Sequence, residues 1–261
     1  MMKKLGYGLV AALCLGTFAN VFALTQEESA KQFAEAVQSG DAKKVVALFP
    51  DSYVKDVNKV IQAFAGKMDE ELWQKGRETV ALAVDVLAVQ SENALGGVNM
   101  TFANMNVSKM DEEAKKSALK ELAKFIRSDA TELKALKKGD VTTLVSGLMP
   151  VFAKFASDFK AADKDNATSD DTSMKQVEGK WVTAEMADGW KEKIDSTLKG
   201  IQSIDFTSEE GKAQKAQLIT LMDSMKPVLK KMESAKTPEE FQSQIMMLMM
   251  PIMMMQMQMS N

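Results

Sequence analysis

Signals that start and stop helices recur along this chain, and they constrain its fold more than any other feature. Asp41, Asp111 and Thr183 each precede apolar residues spaced three and four apart, and short polar side chains of this kind cap helix N-termini. Gly40 and Gly139 stand where helices should end, because glycine is favoured just past a helix C-terminus. The pattern predicts a mainly α, multi-helix, bundle-like protein.

The longest predicted helix runs from Asp69 to Gln90. Its second half, from Val80 to Val89, is apolar on nearly every side apart from Asp85, so we expect neighbours all around it. A strand is the alternative because β-branched residues are frequent there, but the length favours a helix. Gly66 is the expected end of the preceding helix.

Two stretches of the chain resemble each other. Gly40-Asp41 leads through a short apolar helix to Pro50, and Gly139-Asp140 leads through another to Pro150. One interpretation is a duplicated helical unit. The other is ordinary punctuation, in which a glycine ends one helix and an aspartate caps the next, and we favour it because both signals are common.

One small β-hairpin is predicted among the helices, over about residues 174–183. Met174 to Val177 and Lys180 to Thr183 flank Glu178-Gly179, and a two-residue turn with glycine joins antiparallel strands. Residues 92–106, which include two adjacent glycines and four asparagines, are predicted to form a loop.

A polar stretch divides the predicted domain plan. Residues 163–173 have no apolar periodicity and are predicted to be a linker or an exposed loop. We therefore expect an N-terminal helical lobe over 24–162. The hairpin and a C-terminal helical lobe with a methionine-rich tail should follow over 174–261.

The first 23 residues have the form of an export signal. Lys3 and Lys4 precede an apolar stretch from Leu5 to Phe22, which ends beside a small-residue cleavage pattern at Ala23. Lipidation at Cys14 is not expected, because bulky Leu13 stands where a small residue is needed. We expect residues 1–23 to be a Sec-type signal peptide and the mature protein to be periplasmic and not a lipoprotein, with secretion as the alternative.

The composition argues against several classes of function. The chain has no histidine, and its one cysteine, Cys14, lies in the predicted signal peptide. Because imidazole and thiol dominate nucleophilic and metal chemistry, we predict no catalytic residue, no cofactor and no enzymatic activity. A nucleic-acid partner is not expected either, since the net charge is −3 and the only arginines are Arg77 and Arg127.

The C-terminal segment has the most unusual composition. Methionine dominates between Ile245 and Met259, and no charged residue follows Glu240. The segment is too short to span a bilayer and too apolar to stay in water. It must therefore dock on the protein's own core, on a second copy, on a client protein or on a membrane surface. A membrane surface is the least favoured, because helices that bind one usually carry a basic face.

We favour a non-enzymatic binding or scaffold protein that contacts another protein or a second copy of itself. Unbranched methionine side chains adapt to irregular partners. The residues predicted to contact the partner are Ile245, Met246, Leu248, Met249, Met250, Ile252 and Met253.

Soft-metal binding is the first alternative function. Thioether sulfur is a ligand for Cu(I) and Ag(I), and a helix would bring several methionines to one stripe. The candidate ligands are Met246, Met249, Met250, Met253 and Met257. We favour the packing or docking interpretation, because methionines at helical spacing more often serve as adaptable apolar contacts.

A carboxylate hydrolase is the second and weaker alternative. Glu178, Glu185 and Asp188 lie close in sequence to Trp181 and Trp190, and glycoside hydrolases use paired carboxylates. In the simpler interpretation, Trp181 packs from the hairpin onto the following helix, Trp190 packs on the inner face of that helix, and the acids are solvated.

Overall fold

The structure is a computed structural model, which describes residues 27–90, 101–102, 105–106, 111–162 and 174–258, with side chains over 31–90, 111–154 and 175–250. The predicted signal peptide and the predicted linker lie outside the described residues, so both stay predictions. The helices are α1 (Glu27–Gln38), α2 (Ala42–Val46), α3 (Asp51–Lys67), α4 (Glu70–Val89), α5 (Glu112–Ile126), α6 (Leu133–Leu136), α7 (Val141–Ala162), α8 (Ala184–Gln202), α9 (Glu209–Glu233) and α10 (Pro238–Gln258). A 3-10 turn spans Asp129–Thr131, between α5 and α6.

The fold is mainly α and bundle-like, as predicted. The predicted caps are in place: side-chain oxygens of Asp41, Asp111 and Thr183 accept hydrogen bonds from backbone N–H groups in the first turns of α2, α5 and α8. Such bonds satisfy amides that have no partner within the helix.

The β-hairpin is also confirmed. The strand Met174–Val177 pairs antiparallel with the strand Lys180–Thr183, with Met174 opposite Thr183 and Val177 opposite Lys180. Glu178 and Gly179 both have positive φ, 51° and 74°, as a type I′ turn requires. The segment predicted as a loop contains a further strand pair, Thr101–Phe102 with Met105–Asn106.

Glycine and proline act differently at different helix boundaries. Gly40 and Gly139 have φ of 68° and 64°, so each ends a helix in the left-handed region. The structure continues α3 through Gly66 to Lys67, and it keeps Pro150 and Pro227 inside α7 and α9. In each Gly-Asp pair, the glycine therefore ends one helix and the aspartate begins the next. The two stretches differ at their prolines, since Pro50 precedes α3 and Pro150 lies within a helix.

Most helices enclose one main core. Residues from α1, α2, α3, α5, α7 and α8 meet there with Val182 of the hairpin, and α4 contributes Ala81, Val84 and Ala88. The most deeply enclosed side chains include Val45, Phe152 and Ile201. The hairpin and α8 therefore pack in the same core as α1 to α3.

A second core lies on the other side of α4. Val86 of α4 packs there with Leu229 and Met232 of α9 and with Phe241 of α10. The prediction that this part of α4 has neighbours all around holds for most of it, because its side chains enter both cores, but Val89 at its end is 47% exposed. Asp85, the one acid in this apolar stretch, forms an ion pair with Arg127 just after α5.

Helices α4 and α9 run parallel although they are far apart in sequence. Ion pairs join Asp69 to Lys215, then Lys75 to Asp223 at 2.5 Å, then Glu78 to Lys226 at 2.5 Å, so residue numbers rise together along the two helices. Beyond α4, the Gln90 side-chain amide donates to the carbonyl oxygens of Glu233 and Ala235 at the α9–α10 turn.

Among the described residues, no helix has the length and apolar character needed to cross a bilayer.

Candidate interaction surface on the C-terminal helix

Helix α10 begins at a well-formed cap. The hydroxyl oxygen of Thr237 accepts from the backbone N–H of Glu240 at 3.2 Å, and the Glu240 carboxylate accepts from the backbone N–H of Lys236 at 2.8 Å. Pro238 is the first helical residue, where its missing N–H costs nothing. These interactions turn the chain sharply and lay α10 against α9.

Among the described side chains of α10, three residues that are not methionine make the apolar contacts of the inner face. Phe241, Ile245 and Leu248 all contact the second core, and Phe241 is only 1% exposed. They stand at intervals of four and three, so they fall on one side of the helix. Ile245 and Leu248, which we predicted as partner contacts, therefore lie on the side that holds α10 to its own protein.

The opposite face is apolar and exposed. Met246, Met247, Met249 and Met250 are between 43% and 66% exposed, and we call these four residues the methionine face. They are four of the six large hydrophobic residues exposed within the described part of the chain, the others being Val89 and Trp181. Apolar surface collected at one place, unlike scattered residues, marks interaction sites.

The structure places the predicted contact residues in three groups. Met246, Met249 and Met250 lie on the methionine face, and Ile245 and Leu248 lie beneath it. Ile252, Met253 and Met257 belong to the last turns of α10, where side chains are not among the described residues. Met247 was missed by the sequence argument, although its place in an unbroken methionine run was a signal for it.

The methionine face has no charge of its own. From Phe241 to Gln258 the chain contains only apolar and neutral polar residues. The face can therefore offer dispersion contacts and thioether sulfur atoms, but it cannot form an ion pair.

The acid and tryptophan cluster considered for hydrolysis has structural partners. Glu178 accepts from the backbone N–H of Ser52 at 3.2 Å, Asp188 pairs with Lys175 at 2.6 Å, and Glu185 pairs with Lys193 at 3.2 Å. Hydrogen bonds from Ser52 hold the pKa of the Glu178 carboxyl below its usual range. The carboxylates are exposed, as predicted, and each is engaged with a different group.

The two tryptophans of this cluster differ in burial. Trp190 is buried, as predicted; its ring stacks on Tyr53 at 4.0 Å between centroids, and its indole N–H donates to Asp56 at 3.1 Å. Trp181 keeps 37% of its surface exposed, while Val182 is 3% exposed. Because alternate strand residues face opposite ways, it is Val182 that enters the core.

Burial raises the pKa of Tyr53, and the charges of Glu178 and Asp188 raise it further.

A wide groove of about 1170 Å³ lies between the starts of α2 and α7. Its lining includes Asp41 and Asp140, which serve as helix caps, and short polar side chains such as Thr143 and Ser146. Within the part of the chain that the structure describes, no group of three or more acidic, histidine or cysteine side chains is arranged to hold a metal ion. The groove is thus an open surface between helix starts, and the methionine face is the better candidate site.

Comparison of this chain with protein-family models, with curated proteins and with solved structures finds no match.

Proposed function

We propose that this is an exported, periplasmic, non-enzymatic binding protein that uses the methionine face to hold an apolar segment of another exported protein. One observation carries the proposal: α10 is anchored through Phe241, Ile245 and Leu248, yet it presents four apolar side chains to solvent on its other side. Anchoring removes the need for these methionines in the protein's own core, so their exposure calls for an external contact.

The chemistry of the face indicates the chemistry of the partner. Without a charged residue between Phe241 and Gln258, a charged partner group buried against the face would lose its hydration and gain no ion pair. The partner segment is therefore apolar and uncharged. Flexible thioether side chains can repack against partners of different shape, which suits a holding role.

Export is supported by the sequence alone. The basic start, the apolar stretch to Phe22 and the small residue Ala23 have the order of a cleavable signal. Loss of residues 1–23 would also remove Cys14, and a chain without cysteine cannot form mispaired disulfides in an oxidising compartment.

Site-specific crosslinking tests the proposal. A photoreactive amino acid at Met249 should give an adduct with a different exported protein, while the same group at Lys199, an exposed residue of α8, should not. Equal adducts at both positions, or none at Met249, would contradict the proposed surface. An adduct with twice the mass of the chain would show that the occupant is a second copy.

Matched substitutions then measure the contribution of the face. Replacing Met246, Met249 and Met250 together by glutamine should weaken binding of the crosslinked partner about tenfold or more, because polar amides replace buried apolar surface. Replacing the same three residues by leucine should keep binding within about threefold, since the face stays apolar. Isothermal titration with the purified partner gives both values, and equal losses in the two variants would count against an apolar contact.

Soft-metal binding is the second candidate function. Met246, Met249 and Met250 are all exposed and stand at i, i+3 and i+4 of α10, so their thioethers lie on one side of the helix, open to an incoming Cu(I) ion. The two functions differ in what they need from the side chain, since a metal requires sulfur and an apolar partner requires surface.

The leucine variant separates the two candidates. If the thioethers bind Cu(I), competition against a colorimetric Cu(I) chelator should show binding to the native chain and none to the triple leucine variant. Unchanged Cu(I) affinity in the variant would remove these three residues as ligands.

A further inference from the structure

Among the described side chains, the methionines of this chain range from buried to exposed, with Met68, Met222 and Met225 in between. Met149, Met186 and Met232 are buried, each with 8% or less of its surface accessible, whereas the methionine face is 43% to 66% exposed. Oxidants in solution reach exposed thioethers first.

Over the described side chains of α10, which end at Met250, oxidisable and inert side chains are separated by face. Methionine is the commonest residue from position 245 to 258, yet the described inner contacts are made by Phe241, Ile245 and Leu248. An oxidant that modified the four outer sulfurs would therefore leave the described anchoring contacts of the helix chemically unchanged. The polarity of the methionine face can therefore change while the inner contacts that hold α10 in place stay intact.

We propose that the methionine face is an oxidation site, at which two-electron oxidants of the peroxide or hypohalous acid class form methionine sulfoxides and release the bound apolar partner. The oxidation itself follows from exposure and sulfur chemistry, while the release of partner rests on the proposed function. The modification is reversible, because methionine sulfoxide reductases restore the thioether.

The reaction is balanced with hydrogen peroxide as the oxidant. A lone pair on the methionine Sδ attacks one peroxide oxygen, the O–O bond breaks, an S–O bond forms, and the second oxygen leaves as water after proton transfer. The sulfur loses two electrons and the peroxide gains them. A strongly polar S=O group then replaces an apolar surface atom, and burying it against an uncharged apolar segment leaves it without a hydrogen-bond donor.

Peptide mapping by mass spectrometry tests the oxidation site on the full mature chain. After brief treatment with hydrogen peroxide, sulfoxide should form at Met246, Met247, Met249 and Met250 about fivefold or more faster than at Met149, Met186 and Met232, as exposure dictates. The helical circular dichroism signal and Tm should stay unchanged. Equal rates at exposed and buried methionines, or unfolding during the treatment, would overturn the proposal.

Binding measurements test the release. Affinity for the crosslinked partner should fall about tenfold or more on oxidation and return after treatment with methionine sulfoxide reductase. A variant with leucine at all four positions should bind with the same affinity before and after peroxide. Native binding that is insensitive to selective oxidation would overturn the release, whereas selective oxidation of a chain that binds no partner would reject the proposed function and leave the oxidation site standing.

Discussion

Asp140 shows how a single carboxylate defines the start of a long helix. One of its oxygens accepts from the backbone N–H of Thr142 at 3.0 Å, and the other accepts from the hydroxyl of Thr143 at 2.6 Å. The backbone N–H of Val141, which has no acceptor within the helix, donates to the side-chain oxygen of Asn58 in α3 at 3.0 Å. Hydrogen bonds from Thr143 are the main reason that the pKa of the Asp140 carboxyl lies below its usual range.

Replacing Asp140 by alanine should lower the free energy of unfolding by about 1 kcal/mol at neutral pH, because an N-cap is lost. Asparagine also caps well, so D140N should cost less. A carboxyl whose pKa is lower in the folded state stabilises the protein above its unfolded pKa of about 3.9, and that contribution is lost as the pH falls through the folded value. The difference in free energy of unfolding between native protein and D140N should therefore become smaller below about pH 4.

Urea unfolding at pH 7 and at pH 3 provides the check. Other carboxylates titrate alike in native and D140N protein, so the difference between the two isolates Asp140. A difference that stays constant with pH would contradict a charged cap at this position.

Residues at helix starts could be recognised from sequence because a cap and its amides are neighbours in the chain. Asp140 and Thr183 are examples, each acting within three residues. Glu178 could not be recognised in this way, since it accepts from Ser52, 126 positions away. Its role depends on where the hairpin turn lies relative to the start of α3, and local spacing carries no information about that distance.

At the scale of the element, α10 depends on one large anchor. Phe241 is 1% exposed and lies among Val86, Leu229 and Met232. The methionines on the other side of the helix contribute little to its docking, because much of their surface remains in water. One face of α10 thus holds the helix in place, and the opposite face is exposed to solvent.

Replacing Phe241 by alanine should lower the free energy of unfolding by about 3–5 kcal/mol, as for other buried aromatic residues, because apolar contact is lost and a cavity remains. Met249→Ala is the matched control in the same helix and should change it by no more than about 0.5 kcal/mol. Urea denaturation followed by circular dichroism measures both variants. Similar losses in the two would mean that the methionine face is part of the folded core.

Sequence patterns predicted helix starts better than helix interiors. Asp69 and Asp111 precede helices as expected, and the left-handed glycines Gly40 and Gly139 end them. Proline is disfavoured in helix interiors, yet Pro150 and Pro227 each lie inside one continuous helix. A proline removes one hydrogen bond from a helix interior, and both α7 and α9 also pack against elements distant in sequence. That packing depends on residues distant in sequence, so it could not be deduced locally.

For the whole molecule, α4 is the element that joins the two cores. Ala81, Val84 and Ala88 enter the main core, and Val86 enters the second. The apolar composition of α4 predicted this burial on all sides, but nothing in the sequence identified α9 as its parallel neighbour. From the sequence, the exposed side of α10 could be anticipated only as part of a run of methionines. Which side of α10 faces inward depends on its packing against α9, which the sequence did not identify.

A shared helix predicts that the described cores unfold together. Ile201→Ala in the main core and Leu229→Ala in the second should each cost about 2–5 kcal/mol, since both side chains are buried. Because α4 cannot keep its packing in one core after losing the other, both variants should shift a single transition. Trp73 packs against the main core, Trp190 lies within it, and Trp181 adjoins its member Val182 in the hairpin, so fluorescence reports that core, while circular dichroism reports all helices. The two probes should give coincident urea curves for the native chain and for both variants. Loss of helical signal before the fluorescence change in Leu229→Ala would show instead that α9 and α10 unfold as a separate unit.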